Sequence, residues 1–586
     1  MKRFVLYSVF AMLATFLGAG SAFAAGGSCP TGANYLSLTS PQTGGGLGSV
    51  TLSSLGVTSC YFISSTGVDT NAGTSEASPW LHAPGMPSCT GVCASVTPTA
   101  GVGFIFQGGG TWHRSSGTPG IGGNLSLSQS GSSGSPIYFG VDPTWFSGGS
   151  FARPIFSSDN PLSTNTVSSC SFPDDGGAFL NVSGANVIVD GFEFTGECMS
   201  GSGDGSVVQP GINKNQVFER IYVHGWTYTG SVGDDGLVMF GNEENSQEDT
   251  DRFLFDVVDG ADSTFGAGCT TPSCVIVNGG NNFVSNGASG WAFGYGWDVE
   301  YSVIRHVSNG IQAGDIGFMI GNLMEYQFEP SLPGGRHGNV VEQNFGTECT
   351  VGYFYNNVDR NTNEGINWAT GCATQYIFNN VFDNDGHFPP DPNGILIGGP
   401  GRNGTSVVTA YIYNNTAQDV QFNGAQPNAS WSGWASGSSS TWANNQIMDF
   451  TSINSFSGCG SDSGCTRTDN GGEKFMTTSV ANADGYTIAN NYAPTASSSP
   501  TVGAGINATS FCSTIPNSAA IAACESGSGG AVAETSNWGG EFASYPNIPS
   551  NTRPLTGAWD AGAYEFSPGS TAGQPNPPTN LKVVVQ

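Results

Sequence analysis

Short apolar runs closed by polar turns recur along most of this chain, and in its second half several of them end in Asn-Asn. The clearest copies are Tyr353-Phe354-Tyr355-Asn356-Asn357, Tyr376-Ile377-Phe378-Asn379-Asn380 and Tyr411-Ile412-Tyr413-Asn414-Asn415. Weaker copies end at Asn444-Asn445 and Asn490-Asn491. Asn356 and Asn379 are 23 residues apart, and Asn444 and Asn490 are 46 apart, twice that step. The 35-residue step from Asn379 to Asn414 contains Phe388-Pro389-Pro390-Asp391-Pro392, which reads as a loop inserted into one repeat. Short β-rich runs at such a period predict stacked coils, each adding strands to continuous parallel sheets. Asn suits the corner, because it tolerates left-handed backbone and can hydrogen-bond to its copies in adjacent coils. Cys349 and Cys372 are also 23 apart. Stacking puts them in neighbouring strands about 4.8 Å apart, which fits a disulfide.

A second series consists of a polar residue, a Gly and an apolar strand: Asn309-Gly310-Ile311, His337-Gly338, Glu364-Gly365-Ile366 and Asn393-Gly394-Ile395. The steps between its glycines are 28, 27 and 29. Asn286-Gly287 and Asp235-Gly236 extend it backwards. Aligned on these glycines, the side chains just before them are expected to stack along one edge. The fold class expected is therefore all-β, a single-stranded right-handed parallel β-helix.

Composition narrows the class further. There are 88 Gly, 10% charged residues and 38% hydrophobic residues, which disfavours a helical protein yet suffices for a core. The net charge of −29 argues against nucleic acid, which needs clustered Lys and Arg. Lys2 and Arg3, the apolar run to Leu17 and Ala22-Phe23-Ala24 read as an export signal, so the protein is expected to be secreted or at the cell surface. No later stretch reaches the length of a membrane span. The 14 cysteines then suit an oxidising compartment. Close neighbours suggest disulfides between Cys89 and Cys93, Cys269 and Cys274, Cys459 and Cys465, and Cys512 and Cys524. The expected layout is residues 1–24 as signal, 25–60 as extension, 61–566 as β-helix and 567–586 as linker and tail, in a monomer.

The stretch Tyr61 to Thr74 with Ser78-Pro79-Trp80 resembles the opening of pectin-lyase-like β-helix proteins. Phe104 to Trp112 resembles that family's next element, and Trp559-Asp560-Ala561-Gly562-Ala563-Tyr564-Glu565-Phe566 its closing motif. Such a resemblance implies the fold more than an activity. Arg336-His337-Gly338 is similar to a segment of β-helix alginate and chondroitin lyases, which implies a catalytic Arg336 beside a Lys base. Here no Lys lies between Lys214 and Lys474, so Arg336, His337 or a Tyr would have to act as base. The acidic set of Asp235, Glu342 and Glu364, with His387 and Asp391 on the inserted loop, could instead serve glycoside hydrolysis. The full motif set of polygalacturonases is absent.

The candidate catalytic residues are thus Arg336, His337, Glu364 and Asp235, and the candidate binding residues are Asn309, Asn393, His387, Asp391, Trp431 and Trp434. Trp291, Phe293, Tyr295 and Trp297 alternate and share one face if extended. Asp69 and Asn71, alternate oxygen side chains before Gly73, could wrap Ca²⁺. The partner expected is an extracellular polysaccharide, met by a lyase or hydrolase. The alternative is a non-catalytic surface adhesin or matrix protein, for which an acidic disulfide-pinned rod suffices.

Overall fold

The computed structural model describes residues 26–31, 51–114, 117–160, 169–171, 178–199, 205–211, 215–225, 227–228, 236–240, 251–259, 289–305, 309–325, 339–343, 350–362, 364–366, 372–383, 407–418, 436–448, 464–529 and 550–567. The expected export signal and nearly all of the tail lie outside them. No helix among the described residues is long and apolar enough to cross a membrane.

Among the described residues the strands pair in parallel, and the chain winds as a right-handed parallel β-helix with three faces. The first face runs from Ser59–Ile63 through Val187–Asp190, Gln216–Glu219, Val351–Tyr355 and Thr374–Phe378 to Thr466–Asp469. The second face is a 12-stranded sheet from Thr111–His113 to Lys474–Met476. The third runs from Leu125–Leu127 through Gly236–Phe240 to Glu364–Ile366. The long strands Ser289–Glu300 and Asn309–Ile320 pass from the third face into the first, so these two faces form one 19-stranded sheet. A register shift between Tyr295 and Trp297 marks that passage. It interrupts the alternation expected to keep Trp297 with Trp291, Phe293 and Tyr295.

Period-2 alternation supplies the core. On the first face Phe104, Phe139, Val189, Phe218, Phe253, Val299, Met319, Phe354, Ile377, Ile412 and Trp442 fall in register, buried in one cluster. The matching row of the second face holds Val258, Ile304, Met324, Phe382 and Ala417, interrupted by Asp359. Asp359 is 0% exposed, and burial pushes its carboxyl well above the usual range, which favours the neutral form.

The Asn-Asn pair divides its labour between first and second faces. The first Asn takes the left-handed corner, with φ of 58° at Asn356, 57° at Asn379, 54° at Asn414 and 58° at Asn444. The second Asn is the rung of a buried ladder. The backbone N–H of Asn322 donates to Asn357 Oδ1 at 2.9 Å, that of Asn357 to Asn380 at 3.0 Å, that of Asn380 to Asn415 at 3.1 Å and that of Asn415 to Asn445 at 2.9 Å. Asp256 and Ser302 carry the same rail towards the N-terminus. Successive rungs of the rail lie 35, 46, 20, 35, 23, 35 and 30 residues apart. The 23-residue step is thus one short coil among longer ones.

One expectation is corrected here. Asn490-Asn491 is not a coil corner: Ile488–Asn490 is a 3-10 turn in which Asn490 Oδ1 caps the backbone of Thr487. The 46-residue spacing is therefore incidental. Among the described residues the last coil strand is Lys474–Met476. Described residues beyond Thr478 pack back against the coils. Ala481, Tyr486, Tyr492 and Tyr564 cover the outer side of the second face, against Val358, Val381 and Met448. Short helices Thr509–Cys512 and Ser518–Cys524, with Trp559, cover Tyr376, Phe378 and Tyr413 on the first.

Disulfides join Cys29 to Cys60, Cys89 to Cys93, Cys170 to Cys198, and Cys512 to Cys524. Cys372 and Cys465 are also disulfide-bonded, while Cys349, Cys459, Cys269 and Cys274 lie outside the described residues. Val351 pairs with Thr374, which is the 23-residue register used to expect a Cys349–Cys372 bond.

Candidate functional site

The third face carries the described part of the expected groove. Asn309 opens one of its strands and Glu364 another. Backbone register aligns Ser289 with Asn309, Ile311 with Val341, and Asn339 with Glu364. The rung matching Asn309 and Glu364 is therefore Asn339, two residues beyond His337. This departs from the Gly alignment, which sets His337 level with Asn309 and Glu364. The sequence period misled by an amount equal to the strand repeat, which keeps the polar pattern looking intact.

The same register exposes a row that Gly spacing hid. Trp291, Ile311, Val341 and Ile366 share one set of rung positions, and Ala292, Gln312 and Glu342 the alternate set. Arg336, His337, Asp235, Asn393, His387, Asp391, Trp431 and Trp434 lie outside the described residues.

A charged cluster that sequence reasoning missed sits on the outer side of the first face. Arg252 Nη2 is 3.2 Å from Glu300 Oε1, and its Nε is 3.9 Å from Asp298 Oδ2. The three residues are 7%, 2% and 2% exposed. Burial pushes Glu300 up to about 7 and Asp298 well above its ordinary range, opposed by Arg252. The available signal was Asp298-Val299-Glu300, charges at alternate positions about one core residue. Such a carboxyl can hold a proton at neutral pH. Its closure from solvent makes it an internal ion pair rather than a surface for a polymer.

The Asp69 loop is held by the protein's own donors. Asp69 Oδ1 accepts the backbone N–H groups of Leu81 and His82 at 3.0 and 2.9 Å. Its Oδ2 faces His82 Nδ1 at 2.8 Å and accepts from the backbone of Thr90 at 3.1 Å. The Asn71 side chain donates to the Pro79 carbonyl. These contacts give Asp69 and Asn71 a structural role within the loop. Among the described residues, no group of three or more His, Cys, Asp or Glu side chains is placed to hold a metal ion.

No family model and no curated protein sequence matches the chain. Among solved structures it is similar to pectate lyase Pel9A, at 15% identity and a TM-score of 0.40, over 87% of this chain and 96% of that one. It is also similar to a PL6 family polysaccharide lyase from Pseudopedobacter saltans, at 13% identity and a TM-score of 0.32, over 66% of this chain and 90% of that one. A third is the GH136 lacto-N-biosidase from Eubacterium ramulus, at 11% identity and a TM-score of 0.32, over 71% of this chain and 68% of that one.

Proposed function

We propose that the chain is a secreted β-helix protein that acts on or binds an extracellular polysaccharide along its third face. The observation that carries this reading is the geometry of that face. Eight rungs, from Leu125–Leu127 to Glu364–Ile366, stack in one parallel ladder. At about 4.8 Å per step they make a straight track of roughly 34 Å. A track of that length suits an extended polymer better than a compact ligand. The outer sides of the other two faces are covered, over the C-terminal coils, by the chain's own residues.

On this reading the polymer meets the rungs of Asn309 and Glu364, and Arg336 and His337 come just before the strand Asn339–Gln343 in the chain. Arg336 would offset the repulsion between a uronate and a chain of net charge −29. His337 and Glu364, with Asp235, supply proton transfer. The test is a panel of uronate and neutral glycans, read by ultraviolet absorbance of unsaturated ends for elimination and by new reducing ends for hydrolysis. Replacing Arg336, His337 and Glu364 together by Ala is expected to lower turnover at least about 100-fold, as for loss of general acid–base groups. Unchanged turnover in that variant would remove the site. Binding without turnover across the panel would favour the adhesin or matrix reading.

A further inference from the structure

At the N-terminal end of the same ladder lies a cavity of about 300 Å³, between the loop Pro84–Pro98 and the strand Leu125–Leu127. Met86, Val96, Leu127 and Phe139 give it apolar walls, and the exposed residues Ser126 and Gln129 stand on its rim. None of its lining residues is charged. In a chain with 44 acidic side chains, that absence sets the cavity apart.

The loop that forms one wall is fixed at several points. The Cys89–Cys93 disulfide closes it, and the Thr90 backbone donates to Asp69. The Ser88 N–H donates to the Ile121 carbonyl at 2.9 Å, and the Ser126 N–H to the Gly85 carbonyl at 3.0 Å. A Cβ on Gly85 would meet the Ser126 carbonyl oxygen at 2.5 Å, so the loop is pressed against the strand. The cavity is therefore preformed, and little ordering cost would attend filling it.

Small-molecule sites of this volume pair apolar walls with a few polar groups that orient the ligand. An uncharged sugar ring has that duality, a C–H face for Met86, Val96 and Phe139 and hydroxyls for Ser126 and Gln129. A uronate carboxylate would find no cation among the lining residues. We infer that this cavity is a binding site for an uncharged sugar ring of the glycan that occupies the third face. The inference rests on the proposed function. It adds that the glycan carries neutral residues roughly 29 Å from the Glu342 rung, six strand steps away.

The experiment titrates neutral gluco-, xylo- and manno-configured oligosaccharides and uronate oligomers into the whole protein by calorimetry, with two variants. Val96→Trp fills the cavity, and Gln129→Ala removes one polar group from the exposed rim. At least one neutral oligosaccharide is expected to bind, to weaken about tenfold or more in Val96→Trp, and to weaken about threefold to tenfold in Gln129→Ala, the loss of one neutral hydrogen bond. Uronate oligomers are expected to be indifferent to both. Melting temperature identifies a variant that has lost its fold, and Gln129→Ala, at an exposed residue, then decides alone. Glycans bound or cleaved equally by the parent and both variants would overturn the cavity inference while leaving the functional reading intact. A panel in which nothing binds or reacts would overturn both.

Discussion

At the scale of single residues, two adjacent asparagines do work of opposite kinds. Asn357 Nδ2 donates to the Met319 carbonyl at 2.9 Å and to Asn380 Oδ1 at 3.0 Å, and its Oδ1 accepts from Asn322. Asn357→Ala would orphan buried groups in two coils and is expected to cost about 3 kcal/mol, at about 1–3 kcal/mol per unsatisfied group. Asn356 contributes mainly its left-handed backbone, which Gly adopts freely, so Asn356→Gly should shift stability by under about 1 kcal/mol. Chemical denaturation of the two variants checks both, and similar losses would refute the division of roles. The sequence marked both residues as corner material. It could not separate them, because the left-handed turn and the ladder favour the same side chain. Glu300 was less legible, since its effect depends on burial. Its folded pKa is raised to about 7 from an ordinary 4.5, as are those of Glu473 and Glu565. The folded state therefore holds protons that the unfolded chain has released. Stability from these groups is fully present below about 4.5 and is lost as the pH rises through about 7. Melting temperature should fall across that window and level off above it, and Glu300→Gln should flatten part of the slope.

At the scale of elements, the closing segment behaves as a strap laid over the corners. Ile506 exchanges backbone hydrogen bonds with the side chain of Asn444, and Arg553 Nη2 reaches Asn379 Oδ1 at 3.2 Å. The Gly562 N–H donates to the Asn444 carbonyl at 2.6 Å, and that of Ala563 to Thr416 Oγ1 at 2.9 Å. Gly562 has φ of 96°, and a Cβ there would meet Gln446 Oε1 at 2.6 Å and Thr416 Oγ1 at 2.8 Å. Gly562→Ala should therefore loosen the strap, costing about 1–3 kcal/mol for the backbone alone. Limited proteolysis should then cut between residues 500 and 566 before the coils. Equal resistance in the parent and variant would contradict this. The coil strands were legible because an inward apolar row needs strict alternation. The strap was not, because its short helices and turns carry no period and its contacts span more than 140 residues. The third-face register was misjudged for a related reason: glycine marks a turn, and a turn can move by two residues without changing which side of the strand a residue takes.

At the scale of the whole molecule, charge opposes the compact state. The net charge is −29, so added salt should screen self-repulsion and raise the melting temperature until the Debye length falls below the spacing of surface charges. A melting temperature that declines steadily with salt would mean that ion pairs outweigh repulsion. One ordered run of charges lies on the second face, where Asp259, Arg305, Glu325, Arg360 and Asp383 occupy successive rungs. Arg305 lies 2.6 Å from Asp259, and Arg360 lies 2.9 Å from Glu325. Sign alternates at every step. A rod built by stacking similar coils faces an error that a globular core does not: a coil can be skipped, and the next still finds an apolar row to rest on. Skipping the coil of Glu325 would set Arg305 against Arg360, like charge directly on like. The alternation thus works as a parity check on assembly, rejecting any stack that has lost an odd number of coils.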